Sequence, residues 1–218
     1  MLVLLALEMI EREGFHNLTL GRLAAEAGYS KGTIYNHFTC REDLLIELSA
    51  ESARRQLRYY QAVADLAWNG VQALYGLMLA YMRHAEVDPA LFECSITART
   101  DAVCAAASEA RLKRRDLVEA QMAQVVGSVV ERAVAEGPYG NPHVSPAVAV
   151  DALRSYILGY AAMHLLSRRF LWAAEGDPRN RLLVLASMVQ GLGWPRLEVE
   201  ELTSIQDVVT DIIESSST

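Results

Sequence analysis

The sequence predicts an all-α protein, with a three-helix N-terminal helix-turn-helix unit followed by a longer helical domain. Three observations predict it. Apolar residues recur at the three- and four-residue spacing of amphipathic helices along most of the chain. Few stretches alternate with period two, so strands are not expected. Of the 218 residues 52% are apolar and only 7% aromatic, enough for one sizeable core or two smaller ones.

Leu2, Leu5, Ala6, Met9 and Ile10 give an amphipathic first helix that stops at Gly14. Thr19 is a good N-cap for the next, because its hydroxyl takes a free amide of the following turn. Leu20, Leu23, Ala24 and Ala27 then share one face, and Gly28 stands where a helix ends in a left-handed residue. Tyr29 bridges the turn and Ser30 caps a third helix. In that helix Ile34 and Phe38 point one way, and Lys31, Thr33, Tyr35 and His37 are left on the other sides. Ala24 is small where two steeply crossing helices must approach. Two short helices with a tight turn form a helix-turn-helix, whose second helix enters the major groove of DNA. After Phe38, Thr39 is placed to cap a fourth helix, with Glu42 completing a capping box; Leu44, Leu45 and Leu48 continue it.

From about Arg41 helix follows helix. One runs to about Ala64, with Arg54, Arg55 and Arg58 expected on a solvated face. A second spans Gly70–Ala85, Pro89 opens a third, and Glu109–Glu136 form a long fourth. Pro138-Tyr139-Gly140-Asn141-Pro142 is a loop. Ser145 caps the next helix and Pro146 starts it, where its missing amide costs nothing; that helix is expected to reach Trp172. Two more elements lie near Arg179–Leu192 and Ser204–Ser215. Residues Tyr156–Met163 are apolar nearly all round, so their helix faces its own core and something else. The last helix has a stripe of Ile205, Val208, Val209, Ile212 and Ile213 opposite Asp207, Asp211 and Glu214; the stripe docks on its own domain or on a partner.

The net charge of −7 argues against nonspecific nucleic-acid binding by the whole chain. Between Phe15 and Arg41, however, Arg22, Lys31 and Arg41 face only Glu26, leaving that segment at +2 and the remainder at −9. A mildly basic head on an acidic body is compatible with specific DNA binding at moderate salt. Cys40, Cys94 and Cys104 are odd in number and match no metal spacing, and no signal peptide is visible; reduced thiols in the cytoplasm are expected. Cys40 is the one candidate for a redox role, being next to Arg41. The most apolar run, Tyr156–Leu166, is 11 residues long, too short to span a bilayer. No nucleophile–base pair, phosphate loop or metal-ligand cluster appears, and His84 with Glu86, or His164 alone, are the only starts toward one. Neither an enzyme, a cofactor nor a metal is expected.

Residues 5–48, through the motif A-x-x-A-G-x-S-K-G-T-I-Y-x-H-F that begins at Ala24, resemble the N-terminal domain of the TetR family of repressors. The resemblance implies DNA contact through Lys31, Gly32 and Thr33 in the first turn of the recognition helix, where glycine lets the backbone approach closely. It implies phosphate contacts from Tyr35 and His37, which set register rather than sequence. Asn36 holds the variable family position, and its amide is of a kind that bonds adenine. Thr19 and Arg22 match positions that touch the DNA backbone, and Arg41 matches a basic residue that commonly holds phosphate. Two departures stand out. Leu2 already belongs to helix 1, so DNA contacts from the polar arm that usually precedes it are expected to be either missing or lost with residues ahead of Met1. Thr39-Cys40 replaces the usual Pro-Ser, which would shift helix 4 by one residue if Thr39 takes over the capping.

The resemblance also implies a DNA-binding domain at 1–48 and an effector-binding and dimerisation domain at 49–218. The helix at 146–172 is the expected homodimer interface, and two-fold symmetry would set the recognition helices roughly 34–36 Å apart. Candidate pocket residues are Trp68, Tyr75, Met78, Tyr81, Met82, Phe92, Met122, Tyr156, Tyr160, Met163 and His164, each also suited to plain core. Tyr and His among Met and Leu give an apolar cavity with a few polar handles, pointing to an uncharged, largely apolar small-molecule effector. The implied protein is a homodimeric repressor, released from a palindromic DNA operator by that effector. The alternative is a DNA-bound protein-interaction factor without one.

Overall fold

The computed structural model describes residues 1–137, 139–166 and 178–216. Among these the chain forms α1 (Leu2–Glu13), a 3-10 turn (Phe15–Asn17), α2 (Leu20–Glu26), α3 (Lys31–His37), α4 (Arg41–Ala64), α5 (Gly70–Val87), α6 (Pro89–Thr97), α7 (Asp101–Ala106), α8 (Glu109–Glu136), α9 (Pro146–Leu166), α10 (Pro178–Leu192) and α11 (Val199–Ser215). No strand occurs among the described residues. Among the described residues no helix is long and apolar enough to cross a membrane. The expected continuation of α9 to Trp172 lies outside the described residues.

Contacts divide the chain into two compact units. The first joins Met1–Leu57 to Asp88–Gln121, and the second joins Arg58–Val87 to the residues from Met122 onward. The position near 48, expected as a boundary, falls inside α4.

In the first unit, Ala6, Leu23, Ile34, Leu44 and Leu48 form the centre of one core, with Leu91 and Cys94 from α6 and Ala98 just past its end packed into it. Burial among these apolar neighbours pushes the Cys94 thiol up to about 12, so it stays protonated and unreactive. All three cysteines are free thiols. The region opened by Pro89 forms two helices instead of one. The break follows Thr97, where the Thr100 amide and hydroxyl both turn back to the Thr97 carbonyl. Arg54 and Arg55 depart from the solvated face expected of them. Arg54 pairs with Glu47 at 3.1 Å and Glu51 at 3.0 Å, and Arg55 with Glu51 at 3.3 Å and Asp88 at 2.8 Å.

In the second unit α5 is buried on nearly every side and packs against α9 and α11. The stripe Leu202, Ile205, Val209 and Ile213 therefore docks on its own unit. α11 starts earlier than expected, at Val199, with Glu200 and Glu201 in the first turn where the helix dipole favours acids. Gly70, at the start of α5, lies so close to α8 that a Cβ there would collide with the backbone of Arg132 and Ala133. Its amide donates to Glu136 Oε2 at 2.7 Å. In α9, Ala149, Leu153, Ile157 and Ala161 point into the core, while Val148, Leu158 and Met163 are exposed. α10 repeats the pattern, with Leu182, Leu185, Ala186 and Val189 inside and Leu183 and Val184 outside.

Candidate nucleic-acid interface

The turn between α2 and α3 forms by local chemistry. Thr19 Oγ1 accepts from the Arg22 amide at 3.2 Å and Ser30 Oγ from the Thr33 amide at 3.1 Å, each satisfying a helix-start donor. Gly28 turns the chain at φ +67°, where a side chain would be strained. A helix as short as α3 does not hold in water by itself; it is fixed by Ile34, fully buried, and by Phe38 just past its end.

That anchoring leaves one side of α3 open to solvent. Lys31, Gly32, Asn36 and His37 are exposed, Tyr35 is 51% exposed, and Thr33 is half-buried with its hydroxyl 2.9 Å from Ser30 Oγ. A Cβ at Gly32 would meet only Ser30 Oγ, at 3.7 Å, so nothing within the protein demands glycine there. Thr19 is exposed at the start of α2.

Two expected phosphate contacts are engaged inside the protein. Arg22 bonds Glu13 and donates to the Asn17 carbonyl at 3.1 Å, tying α2 back to the end of α1. Arg12 and Arg22 together hold the Glu13 carboxyl below its usual range. Arg41 is engaged as well. Its Nε donates to the Leu18 carbonyl at 2.9 Å and its Nη2 to the Phe15 carbonyl at 3.1 Å, and its guanidinium lies 4.8 Å over the Phe15 ring. With two carbonyls and a ring held by one guanidinium, it braces the connection from α1 to α2.

The capping box is corrected. Because α4 opens at Arg41, its third residue is Asp43 and not Glu42. Asp43 Oδ2 accepts from the Thr39 amide at 3.1 Å and hydroxyl at 2.7 Å, a reach-back from the third residue of α4 to the residue ahead of its N-cap, Cys40. Asp43 is 2% exposed, and its other oxygen accepts from the Ser108 amide at 2.7 Å. Burial alone would raise this carboxyl, but the bonds from Ser108 and Thr39 hold it below its ordinary value.

Residues 2–48 match the family described as bacterial regulatory proteins, tetR family. That match marks residues 2–48 as a tetR-family domain. Over 46 residues the TetR-family domain is 41% identical to the fatty acid metabolism regulator protein of Bacillus subtilis (strain 168); the match covers 21% of this chain and 24% of that protein, so the chain spans about a quarter of that relative's length. The fold as a whole is similar to that of the TetR family transcriptional regulator PfmR from Thermus thermophilus (TM-score 0.58, 15% identity, covering 98% of this chain and 97% of that one). It is also similar to that of the fatty acid degradation regulator FadR from Bacillus halodurans (TM-score 0.60, 14% identity, covering 95% of each chain). At such identities the likeness is one of fold. The TetR family comprises transcriptional regulators, not enzymes.

Eight of the candidate pocket residues belong to one cluster, in the second unit. Tyr75, Met78 and Met82 are buried in the second core, and Trp68, Tyr81, Met122, Tyr156 and Tyr160 pack partly buried against it. Phe92 is buried in the first unit instead, and Met163 is 44% exposed on the outer side of α9. The side chain of His164 lies outside the described residues. Tyr156 and Tyr160 approach each other with ring centres 6.2 Å apart. A cavity of 50 Å³ lies between α5, α10 and α11, lined by Leu79, Met82, Arg83, Glu86, Arg181, Gln206, Val209 and Thr210. Organic ligands occupy roughly 300 Å³ or more, so this cavity suits water rather than an effector. His84 is buried beside the Tyr59 ring. No group of potential metal ligands occurs among the described residues.

Proposed function

We propose that the chain is a homodimeric, ligand-responsive repressor that reads a palindromic operator through α3. The observation that carries this reading is the open side of α3. Lys31, Gly32, Tyr35, Asn36 and His37 stand exposed there while Ile34 and Phe38 anchor the helix from behind. Lys31, Tyr35 and His37 supply phosphate contacts, Gly32 the close backbone approach, and Thr33 and Asn36 groups that reach base edges. Thr19 and Arg22 flank them, Arg22 exchanging Glu13 for a phosphate as DNA arrives.

Residues 1–48 carry the DNA contacts, and residues 49–218 carry effector binding and dimerisation. The apolar residues left exposed on α9 and α10 support a homodimer seated on those helices. A small, largely apolar effector releases the operator by binding better to a conformer in which the two recognition helices no longer match the groove spacing. It shifts the balance only by its differential affinity for the two states.

Fluorescence anisotropy on DNA upstream of the gene tests this reading, at two salt concentrations and with Lys31→Ala and Tyr35→Ala alongside. Tight, salt-dependent binding that both substitutions abolish is expected, and Lys31→Ala should lower the salt slope by about one per protomer. Failure on that DNA and on sequences selected from a random pool would refute it.

A further inference from the structure

We infer that Arg111, on α8 and outside the helix-turn-helix, is a positioning residue for DNA reading: it fixes the C-terminal end of the recognition helix. The inference rests on the DNA-reading function proposed for α3. Every helix leaves its last carbonyls without intrahelical partners, and α3 has no glycine to close its end. Phe38 follows in an extended conformation instead. The His37 carbonyl takes its donor from 74 residues further along the chain, the Nη2 of Arg111. The same guanidinium lies 4.5 Å over the Phe38 ring. Its Nη1 bonds Glu47, and its Nε is 3.9 Å from Asp43 Oδ2. Asp43 in turn holds the Ser108 amide, just ahead of α8.

One cation therefore touches the end of α3, the ring that anchors α3, and two carboxylates of α4. Its side chain is only 13% exposed, and all of these groups belong to the first compact unit. A positive group at a helix C-terminus is favourable, and the planar fork of arginine meets a carbonyl, a carboxylate and a ring face at once, which a lysine ammonium does not. Together with Arg41, which braces the entry to α2 through Leu18 and Phe15, Arg111 closes the far end of the motif. Tyr35, Asn36 and His37 occupy the turn that it fixes, so the position of these side chains against DNA depends on a residue that touches no DNA.

The test compares Arg111→Lys and Arg111→Gln with the unmodified protein on its operator, over a series of salt concentrations and with each protein's folded fraction measured. Lysine keeps the charge beside Asp43 and Glu47, so that variant stays folded even where glutamine does not. The expected result is a loss of specific affinity of about tenfold, the scale of one charge-assisted hydrogen bond. The salt slope should be unchanged and affinity for nonspecific DNA unaltered. Hydrogen exchange of the Phe38 amide, which donates to Ile34 O at the end of α3, should accelerate in the free protein. Unchanged specific affinity in folded Arg111→Lys would overturn the inference. So would a salt slope lowered by about one per protomer, which would make Arg111 a phosphate contact. If the unmodified protein binds no operator, the DNA-reading function itself fails; accelerated Phe38 exchange in the variant would then record a role confined to the fold.

Discussion

Gly32 lies in the first turn of α3, and a Cβ built there would meet only Ser30 Oγ, at 3.7 Å. Alanine at this position therefore fits the protein without displacing anything. It removes the extra backbone freedom of glycine in the unfolded chain, worth about 0.5–1 kcal/mol in a helix. For a chain of this size the melting temperature should rise by about 1–4 °C. Against DNA the sign reverses. If the α3 backbone comes within contact distance of the sugar-phosphate chain at Gly32, an added methyl must push the helix out by a fraction of an ångström, weakening the neighbouring contacts of Lys31 and Thr33. A tenfold loss of operator affinity corresponds to about 1.4 kcal/mol, roughly one impaired phosphate contact per site. Differential scanning calorimetry and anisotropy on the same preparation read both quantities. Gly127→Ala, in α8 with nothing near its Cβ position, is the control that gains stability without losing affinity. Wild-type operator affinity in a stabilised Gly32→Ala protein would refute the close-approach argument. A drop in melting temperature would show that the packing around α3 is not as described.

Asp43→Asn should cost about 2 kcal/mol at neutral pH, because Thr39 and Ser108 lose an ionised acceptor. The native pKa of Asp43 is depressed, so its contribution is full above the unfolded value near pH 4 and is lost as pH falls through the lower native value. Urea unfolding across the acid range should accordingly show a shallower pH dependence for the variant. Leu158→Asp, on the exposed side of α9, should convert a dimer to monomer in sedimentation velocity; an unchanged dimer would remove α9 from the interface. Gly70→Ala should destabilise the protein by about 1–3 kcal/mol in thermal unfolding, because its Cβ would meet backbone atoms of α8 and not a movable side chain.

The helix-turn-helix was legible in the sequence because its determinants are local. Thr19, Gly28, Ser30, Ile34 and Phe38 act on groups within a turn or two of themselves, and the helical period displays them. Arg41 and Arg111 were not legible in that way. Their partners are carbonyls of Phe15, Leu18 and His37, groups that every residue carries, reached across 26, 23 and 74 positions. Resemblance alone therefore assigned Arg41 a phosphate, and Arg111 was lost in the charged run Arg111–Asp116. Counting from Thr39 selects Glu42 for a capping box, and the start of α4 at Arg41 gives the reach-back to Asp43 instead. In the second unit the period of α5, α9 and α11 shows which faces are apolar, but not which aromatic side chains share a space. Hence eight of the proposed lining residues share the core of the second unit and its half-buried rim, while Met163 lies on the outer side of α9 and Phe92 in the first unit.

The shortness of α3 has a consequence for how this protein would fail. A two-turn helix owes its shape to the surrounding core, so operator DNA and the folding of the first unit draw on one another, and bound DNA stabilises the unit by mass action. Genetically, the changes that abolish operator recognition should not cluster in residues 31–37. They should spread across Met1–Leu57 and reappear, after a silent interval, at Asp88–Gln121. Much of that second group would retain DNA binding in the cold and lose it on warming, while lesions at Lys31 or Tyr35 would be indifferent to temperature. A map of conditional against unconditional alleles would thus trace the boundary of the unit that holds the reading helix in place.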